Sequence, residues 1–318
     1  MDSPLNEADV EHFLTHGWVK VSGCFSKSQA DDLTTSLWVR LGMSPTNKST
    51  WTRERIHMPS QQTFDSSVFA PKAWTAICQL LGGKDRVAEW SRTWRDSFIV
   101  NLGTTAGEGR PLKPHQLYDW HVDGDFFMHY LDSPEQGLLV IPLFADIKPG
   151  GGGTFICPPA VKSIAQHLYD HPEGVSPRML PRGVEAEFGK DGNLLQHQRF
   201  YINLAKSFPE SAFVEVTGSV GDVFLLHPLM LHGASNNALR IPRVITNPPI
   251  ALKKPFDFDR KNIKDFSIVE RKTLRDLGKE NLQGWRITHE RERLVPDRIR
   301  QQEQMKKEEA KRLAALNS

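Results

Sequence analysis

Two residues able to bind a metal, His121 and Asp123, lie in the stretch DWHVDGDFF that covers residues 119–127. An imidazole and a carboxylate separated by one residue can be presented to one cation by a single loop. The same pair is also common in turns that bind nothing. A third ligand, a cofactor anchor and a scaffold that unites them are therefore needed before the pair indicates a metal site.

The segment GDVFLLHPLMLHGASNNALRIPR, residues 221–243, offers the third ligand. His227 and His232 are both candidates, but on a strand they would point to opposite faces, so both are not expected on one metal. Two imidazoles and one carboxylate on one side of a metal leave three positions open, as in non-haem Fe(II) oxygenases. A closed barrel would place the distant histidine opposite the loop that carries His121.

The elements that must position these residues are mostly short strands. Gly, Pro and Asp clusters such as KPGGGG and GSVGD separate the apolar runs and predict turns. No regular alternation of strands and helices appears, so a parallel α/β sheet is not favoured. We expect a mainly β fold with flanking helices (α+β), a double-stranded β-helix of the jelly-roll or cupin type. The predicted strands are 97–102, 138–144, 153–157, 213–218, 222–227 and 243–247.

Helical periodicity flanks and interrupts these strands. Apolar residues recur at helical spacing in three segments, whereas the polar, proline-containing segment 44–66 predicts a loop. We expect a single domain over 1–285, with the barrel core at about 95–250. The helical segments are Leu5 to about Leu41, Ala73–Leu81 and 161–171.

The final stretch, residues 286–318, is highly charged and has few large apolar residues. This composition predicts a solvated helical tail with charge pairs at i,i+4 spacing, and we assign it no function. Arg240, in the loop before the last predicted strand, is likewise expected to be a surface charge.

Composition excludes several other classes of protein. The chain has 318 residues, 39% of them hydrophobic, and a net charge of +2, which is too small to mark a nucleic-acid binder. Its cysteines, Cys24, Cys78 and Cys157, are far apart and predict neither disulfides nor a cysteine zinc site. We find no secretory signal and no apolar run of about 18 residues. We expect a cytoplasmic monomer or homodimer without nucleic-acid or membrane partners.

Taken together, these blocks resemble the phytanoyl-CoA dioxygenase family of Fe(II)/2-oxoglutarate-dependent oxygenases. The resemblance covers most of the chain, from GWVKVSGCFS through WHVD and PGGGGTFICP to HPLMLHGASNN and the arginine that follows. It implies Fe(II) and 2-oxoglutarate as cofactors and His121, Asp123 and His232 as the catalytic metal ligands. It also implies that Arg243 pairs with the far carboxylate of 2-oxoglutarate, which a guanidinium binds bidentately.

The same resemblance bears on several neighbouring residues. It favours His232 over His227, which is then expected to pack or to hydrogen-bond near the end of its strand. Thr154 and Asn101 are polar residues expected to face the barrel interior, either as cofactor contacts or as satisfied strand side chains. Asp119 and Asp125, which flank the ligand pair, are either acceptors for a ligand imidazole or turn residues.

This chain departs from the family pattern at two places. Many members carry a small hydroxyl residue two positions after the distal histidine, and this chain has Ala234 there. The strand after the glycine run usually ends in Pro-x-Ser-His, and here it reads CPPA over residues 157–160. Neither change touches the metal triad, but both leave the secondary cofactor contacts open.

The resemblance implies a dioxygenase that uses dioxygen to hydroxylate a C–H bond of a small-molecule metabolite while converting 2-oxoglutarate to succinate. Asp123 disfavours halogenation, because halogenating relatives replace this carboxylate with a small residue. Desaturation, epoxidation and cyclisation stay open. Four aromatic residues are either part of the core or lie around the entrance, where they would favour an apolar or aromatic substrate. Arg55 and Arg178 belong to no convincing basic cluster. The aromatic residues are Trp51, Phe126, Phe127 and Tyr130.

Two rival classes remain. A cupin-type metal enzyme that does not use 2-oxoglutarate would not need Arg243. A non-catalytic binding protein on the same fold would fail to bind Fe(II) or to convert 2-oxoglutarate. The triad together with the arginine makes the second rival the weaker of the two.

Overall fold

A computed structural model describes residues 4–296 and 298–315 of the chain. Within this part, four antiparallel sheets are built from short strands, and α-helices surround them. The strands are β1 (Trp18–Val21), β2 (Arg55–His57), β3 (Thr63–Asp65), β4 (Thr93–Arg95), β5 (Ile99–Asn101), β6 (Leu139–Pro142), β7 (Thr154–Cys157), β8 (Val214–Glu215), β9 (Val223–Leu226), β10 (Leu231–Ala234) and β11 (Arg243–Ile245). The helices are α1 (Glu7–His16), α2 (Lys27–Thr34), α3 (Leu37–Leu41), α4 (Ser66–Phe69), α5 (Pro71–Leu80), α6 (Ala160–Asp170), α7 (Phe200–Ser207), α8 (Ile268–Leu277) and α9 (Arg298–Ala314).

The strand order of the sheets is β1-β9-β6, β10-β7-β8, β11-β5-β2 and β3-β4. The isolated antiparallel bridge Leu143↔Ile245 joins the end of β6 to β11, and the bridge His121↔His232 joins the loop that carries His121 to β10. The architecture is therefore a mixed one of helices and several small antiparallel sheets. In the described ranges, no helix has the length and apolar character needed to cross a membrane.

Burial explains why the strands form where the sequence predicts them. Each of the six predicted strands is present, and β6 and β9 are buried along their whole length. A strand covered on both faces has a continuous apolar run, which is the pattern of LVIP and VFLL. The helix predicted over 161–171 is also confirmed as α6, which buries Val161, Ile164 and Leu168.

The loop predicted over 44–66 is wrong in part, because β2 and β3 both lie within it. Each has three residues, too few for an alternating pattern to be visible in the sequence. Pairing makes β2 a strand: Ile56 lies opposite Val100 of β5 and is almost fully buried. β10 was also not among the predicted strands, and it carries His232.

The predicted charged helical tail is present as α9, and most of its side chains are exposed, but one of them is buried. Its Glu309 is 1% exposed and accepts a hydrogen bond from Nε of Arg40 at 2.9 Å. Nη1 of Arg40 donates to Asp96 at 2.7 Å, and Nη2 donates to the carbonyl oxygen of Pro59 at 2.6 Å. All three charged side chains are almost completely buried. This network fastens the C-terminal helix to α3 and to the residue that follows β4.

Glu309→Ala is expected to destabilise the protein by roughly 3 kcal/mol, because it leaves a buried guanidinium short of one counter-charge. Urea denaturation measures the free energy of unfolding. Glu308→Ala, one residue earlier and exposed, is the matched control and is expected to change that free energy by less than about 0.5 kcal/mol. Equal midpoints for the two variants would contradict the role of this network.

Candidate metal centre

His121, Asp123 and His232 form a compact group of side chains whose ligand atoms all lie within 4.8 Å of one another. Asp123 Oδ1 is 3.4 Å from Nε2 of His121 and 3.5 Å from Nε2 of His232. The two imidazole centroids are 4.3 Å apart. Among the residues that the structure describes, no other group of three or more His, Cys, Asp or Glu side chains meets this condition.

Backbone pairing brings the two histidines together. The amide of His121 donates to the carbonyl oxygen of His232 at 2.9 Å, and the amide of His232 donates back at 3.0 Å. Residues that exchange both hydrogen bonds are direct neighbours across an antiparallel pair. The expectation that the distant histidine lies opposite the loop is therefore confirmed, and His232 is the cross-strand neighbour of His121.

Hydrogen bonds to the backbone orient both imidazole rings. Nδ1 of His121 lies 2.7 Å from the carbonyl oxygen of Asp119, and Nδ1 of His232 lies 2.9 Å from that of Met230. A carbonyl oxygen only accepts, so Nδ1 carries the hydrogen in each ring. In a neutral ring the lone pair is then on Nε2, the atom that faces Asp123. Metal-binding histidines usually donate their other ring N–H in this way.

Asp123 is held as a carboxylate that can act as a ligand. Asn247 donates to its Oδ2 at 3.1 Å, which leaves Oδ1 facing both imidazoles. Burial raises the pKa of Asp123, but the hydrogen bonds that His121 and His232 donate from Nε2 when their rings are protonated outweigh this and hold the pKa well below its usual value. Burial likewise lowers the pKa of His121, and the neighbouring carboxylate raises it by more. The side chain of His121 is 45% exposed and that of His232 is 8% exposed, so the site is open on the His121 side.

Gly124 allows the chain to turn directly after Asp123. Its φ is +120°, a backbone conformation that side chains other than glycine rarely adopt. A Cβ at this position would lie 2.6 Å from the ring of Phe127 and 2.8 Å from the ring of His129. The carbonyl oxygen of Gly124 in turn accepts from Nε2 of His129 at 2.9 Å. The glycine of DWHVDGDFF is therefore required by the shape of the ligand loop.

Arg243 lies in a polar row across the sheet β11-β5-β2. The register pairs Arg55 with Asn101 and Asn101 with Arg243, so these three side chains share one face. The next row, Ile56, Val100 and Val244, points to the other face and is buried in the core. Alternation along three short strands thus separates a charged face from an apolar one.

The guanidinium of Arg243 is a buried cation without an anionic partner. The residue is 2% exposed, and among the described residues its guanidinium hydrogen-bonds to a hydroxyl and a carbonyl oxygen and to no carboxylate. Its Nη2 donates to Thr154 Oγ1 at 2.9 Å, and its Nε has no hydrogen-bond partner. Burial, with a contribution from the charge of Arg55, lowers the pKa of Arg243 to about 9. A buried charge is costly unless it is paired, so this guanidinium fits a ligand carboxylate.

Thr154 and Asn101 differ in their hydrogen-bond partners: Thr154 contacts Arg243, and Asn101 contacts only backbone groups. Thr154 lies directly opposite Ala234 in the β7–β10 register, and its hydroxyl oxygen is the acceptor for Arg243. It therefore brings a hydroxyl next to the position where Ala234 lacks one. Asn101 donates to the carbonyl oxygen of Ser235 at 2.8 Å and accepts from the amide of Gly103 at 3.2 Å. Its amide is satisfied by backbone groups, which agrees with the structural alternative.

The two acids that flank the ligand pair are both paired with arginines that the sequence did not single out for this role. The carboxylate of Asp119 forms an ion pair with Arg55 of β2. The carboxylate of Asp125 is bound bidentately by Arg298, with one contact of 2.7 Å from Nη2. Of these two acids, only Asp119 accepts a hydrogen bond from a metal-ligand imidazole, and it does so through its main-chain carbonyl oxygen and not its carboxylate. No spacing in the sequence connects these acids with arginines so far away.

His227 and Arg240 show one correct and one wrong expectation. His227 is fully buried; its Nε2 lies 2.9 Å from Thr273 Oγ1, and its Nδ1 accepts from the amide of Leu229. The expectation that it packs and hydrogen-bonds is confirmed. Arg240, expected at the surface, is 6% exposed and lies 5.3 Å from the ring centroid of Trp51. Stacking on that aromatic ring lets the cation be buried.

The aromatic residues expected at the entrance are mostly core. Trp51, Phe127 and Tyr130 are at most 9% exposed. A cavity of about 580 Å³ instead lies beside Tyr118 and Trp120 and is also lined by residues of the 178–202 segment. Burial raises the pKa of Tyr201, which lines this cavity, and the charge of Asp123 raises it further. The cavity therefore adjoins the ligand segment.

Comparison with known proteins finds likeness to solved structures alone. No family model matches the chain, and no curated protein matches it. EctD from S. alaskensis with 2-oxoglutarate and 5-hydroxyectoine is 16% identical, with a TM-score of 0.43 and coverage of 80% of each chain. The non-heme alpha ketoglutarate dependent carbocyclase SnoK from nogalamycin biosynthesis is 15% identical, with a TM-score of 0.41 and coverage of 78% of this chain and 84% of that one.

HygX from Streptomyces hygroscopicus, with nickel and 2-oxoglutarate bound, is 12% identical, with a TM-score of 0.41 and coverage of 78% of this chain and 88% of that one. TM-scores below 0.5 carry no argument about the activity of this chain. The function of this chain is therefore inferred from its own metal-ligand triad and from Arg243.

The stability of the protein is expected to fall as the pH drops below about 6.5, in part because of His227. Burial, with a contribution from Lys272, lowers the pKa of His227 from its usual 6.5 to about 3. The unfolded chain then binds a proton that the folded chain excludes, which costs up to about 1.4 kcal/mol per pH unit. Urea denaturation between pH 7 and 4 measures this slope.

His227→Gln retains a donor for Thr273 and cannot titrate, so it is expected to give a shallower slope than the wild type. Identical slopes for the two proteins would show that His227 is not the residue responsible.

Proposed function

We propose that this chain is an Fe(II)/2-oxoglutarate-dependent dioxygenase that oxidises, most simply by hydroxylation, a C–H bond of a small-molecule metabolite. The observation that carries the proposal is the buried, unpaired guanidinium of Arg243 in a structure that also unites a His-Asp-His triad. A metal site alone would fit many enzymes. A metal site together with a buried guanidinium that has no carboxylate partner among the described residues fits a cosubstrate that carries a carboxylate.

His121, Asp123 and His232 would hold the metal. Two imidazole nitrogens and one carboxylate oxygen are the donor set of non-haem Fe(II) oxygenases and leave positions free for further ligands. The exposed side of His121 leaves room for them. The chemistry supplied by the bound metal and cosubstrate is activation of dioxygen, coupled to oxidation of 2-oxoglutarate to succinate and carbon dioxide.

Arg243 and Thr154 would bind the far carboxylate of 2-oxoglutarate. The guanidinium is the bidentate donor, and Thr154 Oγ1 accepts from its Nη2 and so orients it. The hydroxyl hydrogen of Thr154 remains available for a second contact to the same carboxylate. This arrangement would replace the hydroxyl that Ala234 lacks. The side-chain amide of Asn101 would support the site through the main chain of Ser235.

We further propose that the chain belongs to the phytanoyl-CoA dioxygenase-like family and that its sheets are parts of one double-stranded β-helix. The bridge Leu143↔Ile245 links the end of β6 to β11 of a second sheet and supports this proposal. The domain is proposed to span 1–285 with its barrel core at about 95–250, and α9 packs on it through Arg40. The three free cysteines support a reducing, cytoplasmic location.

Anaerobic titration with Fe(II) and 2-oxoglutarate tests the ligand set. The wild type is expected to develop the weak visible absorption band of the metal–2-oxoglutarate chelate. His232→Ala is expected to lose the band because it removes one ligand, whereas the matched variant His227→Gln is expected to retain it. Loss of the band in His227→Gln and its retention in His232→Ala would overturn the assignment.

Arg243→Gln is expected to weaken 2-oxoglutarate binding by about 30- to 100-fold, the effect of removing a charge-assisted contact worth roughly 2–3 kcal/mol. Metal affinity, measured without 2-oxoglutarate, is expected to stay unchanged. Thr154→Val is expected to weaken 2-oxoglutarate binding by about 5-fold, and Thr154→Ser to restore it, because only the hydroxyl is required. Unchanged 2-oxoglutarate affinity in Arg243→Gln would favour a cupin-type enzyme that does not use this cosubstrate.

A further inference from the structure

We infer that Arg55 and Arg298 are positioning residues that clamp the two ends of the ligand segment, residues 119–125, and so set the affinity of the metal centre. The inference deepens the proposed function and rests on it, since it concerns the same metal ligands. It assigns a role to two arginines that contact no ligand atom directly.

The order of acids and metal ligands along the ligand segment shows where the two arginines hold it. Asp119, His121, Asp123 and Asp125 occupy every second position, with the two ligands in the middle and a further acid at each end. Each outer acid is paired with an arginine from a distant element, and neither outer acid belongs to the ligand group. The outer acids therefore act as the points at which the rest of the fold holds this segment.

At the Asp119 end, the ion pair between Arg55 and Asp119 orients the ligand His121 through the main chain of Asp119. Arg55 holds the carboxylate of Asp119, and the carbonyl oxygen of Asp119 accepts from Nδ1 of His121 at 2.7 Å. A Cβ at Gly233, next to the ligand His232, would lie 3.2 Å from Asp119 Oδ1. The Asp119 carboxylate thus fits closely between β2 and β10, and fixing it fixes the carbonyl group that orients the imidazole ring.

At the second end, the clamp comes from the C-terminal region. Arg298 is the first residue of α9 and binds Asp125 bidentately. The preceding segment pairs with the chain just after the ligand loop, since the amide of Leu294 donates to the carbonyl oxygen of Phe126 at 2.8 Å and that of Met128 donates to Glu292 at 3.0 Å. This end matters because the chain turns at Gly124, where glycine gives the backbone its widest freedom.

The two clamps are expected to differ in strength. The Arg55–Asp119 side chains are 25% and 28% exposed, and this pair contacts a ligand through a single carbonyl group. The Arg298–Asp125 side chains are 48% and 45% exposed, and solvent weakens such surface pairs. Arg55 is therefore the dominant positioning residue, and Arg298 the weaker one.

Calorimetric titration of the full-length, metal-free protein with Co(II), in the absence of 2-oxoglutarate, tests the inference. Arg55→Gln is expected to weaken Co(II) binding by about 10- to 100-fold, as is usual when a partner of a metal ligand is lost, and to alter the visible spectrum of the Co(II) site. Arg298→Gln is expected to weaken binding by a few-fold. Arg53→Gln, an exposed arginine two residues before Arg55, is the matched control and is expected to match the wild type.

Asp119→Asn provides a second route to the same result. It is expected to weaken Co(II) binding as much as Arg55→Gln, and the double variant is expected to lose no more than either single one, because both remove the same pair. Arg55→Lys is expected to restore part of the affinity. Wild-type affinity and an unaltered Co(II) spectrum in both Arg55→Gln and Asp119→Asn would overturn the inference. Failure of the wild type to bind Co(II) would instead overturn the proposed function, so the two failures are distinguishable.

Discussion

Two hydrogen bonds between the main chains of His121 and His232 are the contact on which the site depends. They make residues from distant parts of the chain direct neighbours, so that both Nε2 atoms reach the same oxygen of Asp123. This pairing requires β10 to be in place, and β10 is held by β7, with Ile156 opposite His232. The glycine-rich turn before β7 is fixed by the carboxylate of Glu215, which accepts hydrogen bonds from the amides of Gly150 and Gly153. The glycine run, the strands and the ligand loop therefore form one connected support.

The two buried arginines Arg40 and Arg243 differ in the groups that stabilise their charge. Arg40 has a partner for each of its three guanidinium nitrogens, including two carboxylates, and no ligand is needed to explain it. Arg243 is equally buried but has only a hydroxyl at close range and a carbonyl oxygen at 3.5 Å. Burial of a cation is tolerated in the first case by internal pairing. In the second case, a buried guanidinium that contacts only neutral groups of the described residues is the strongest indication of what the site binds.

The C-terminal helix links these two features. Its middle is fixed by the buried carboxylate of Glu309, and its first residue, Arg298, reaches the acid at the end of the ligand loop. A segment whose composition is that of a solvated tail thus lies against the candidate metal centre. The charged residues of α9 are mostly exposed, and the helix is held by Glu309, by Arg312, which donates to the carbonyl oxygen of Arg40, and by Arg298.

By itself, the sequence determined the six predicted strands and offered His121 and Asp123 as a ligand pair, because apolar periodicity and motif spacing are local signals. The choice of His232 and Arg243 came from the resemblance to a known family. Only the tertiary structure decided that the two histidines are cross-strand neighbours, that Arg243 is unpaired, and that the expected entrance aromatics are core. It alone paired Asp119 and Asp125 with arginines from β2 and α9. The physical reason is that strand register and ion pairs between distant segments depend on how the elements pack, and neither leaves a repeating pattern along the chain.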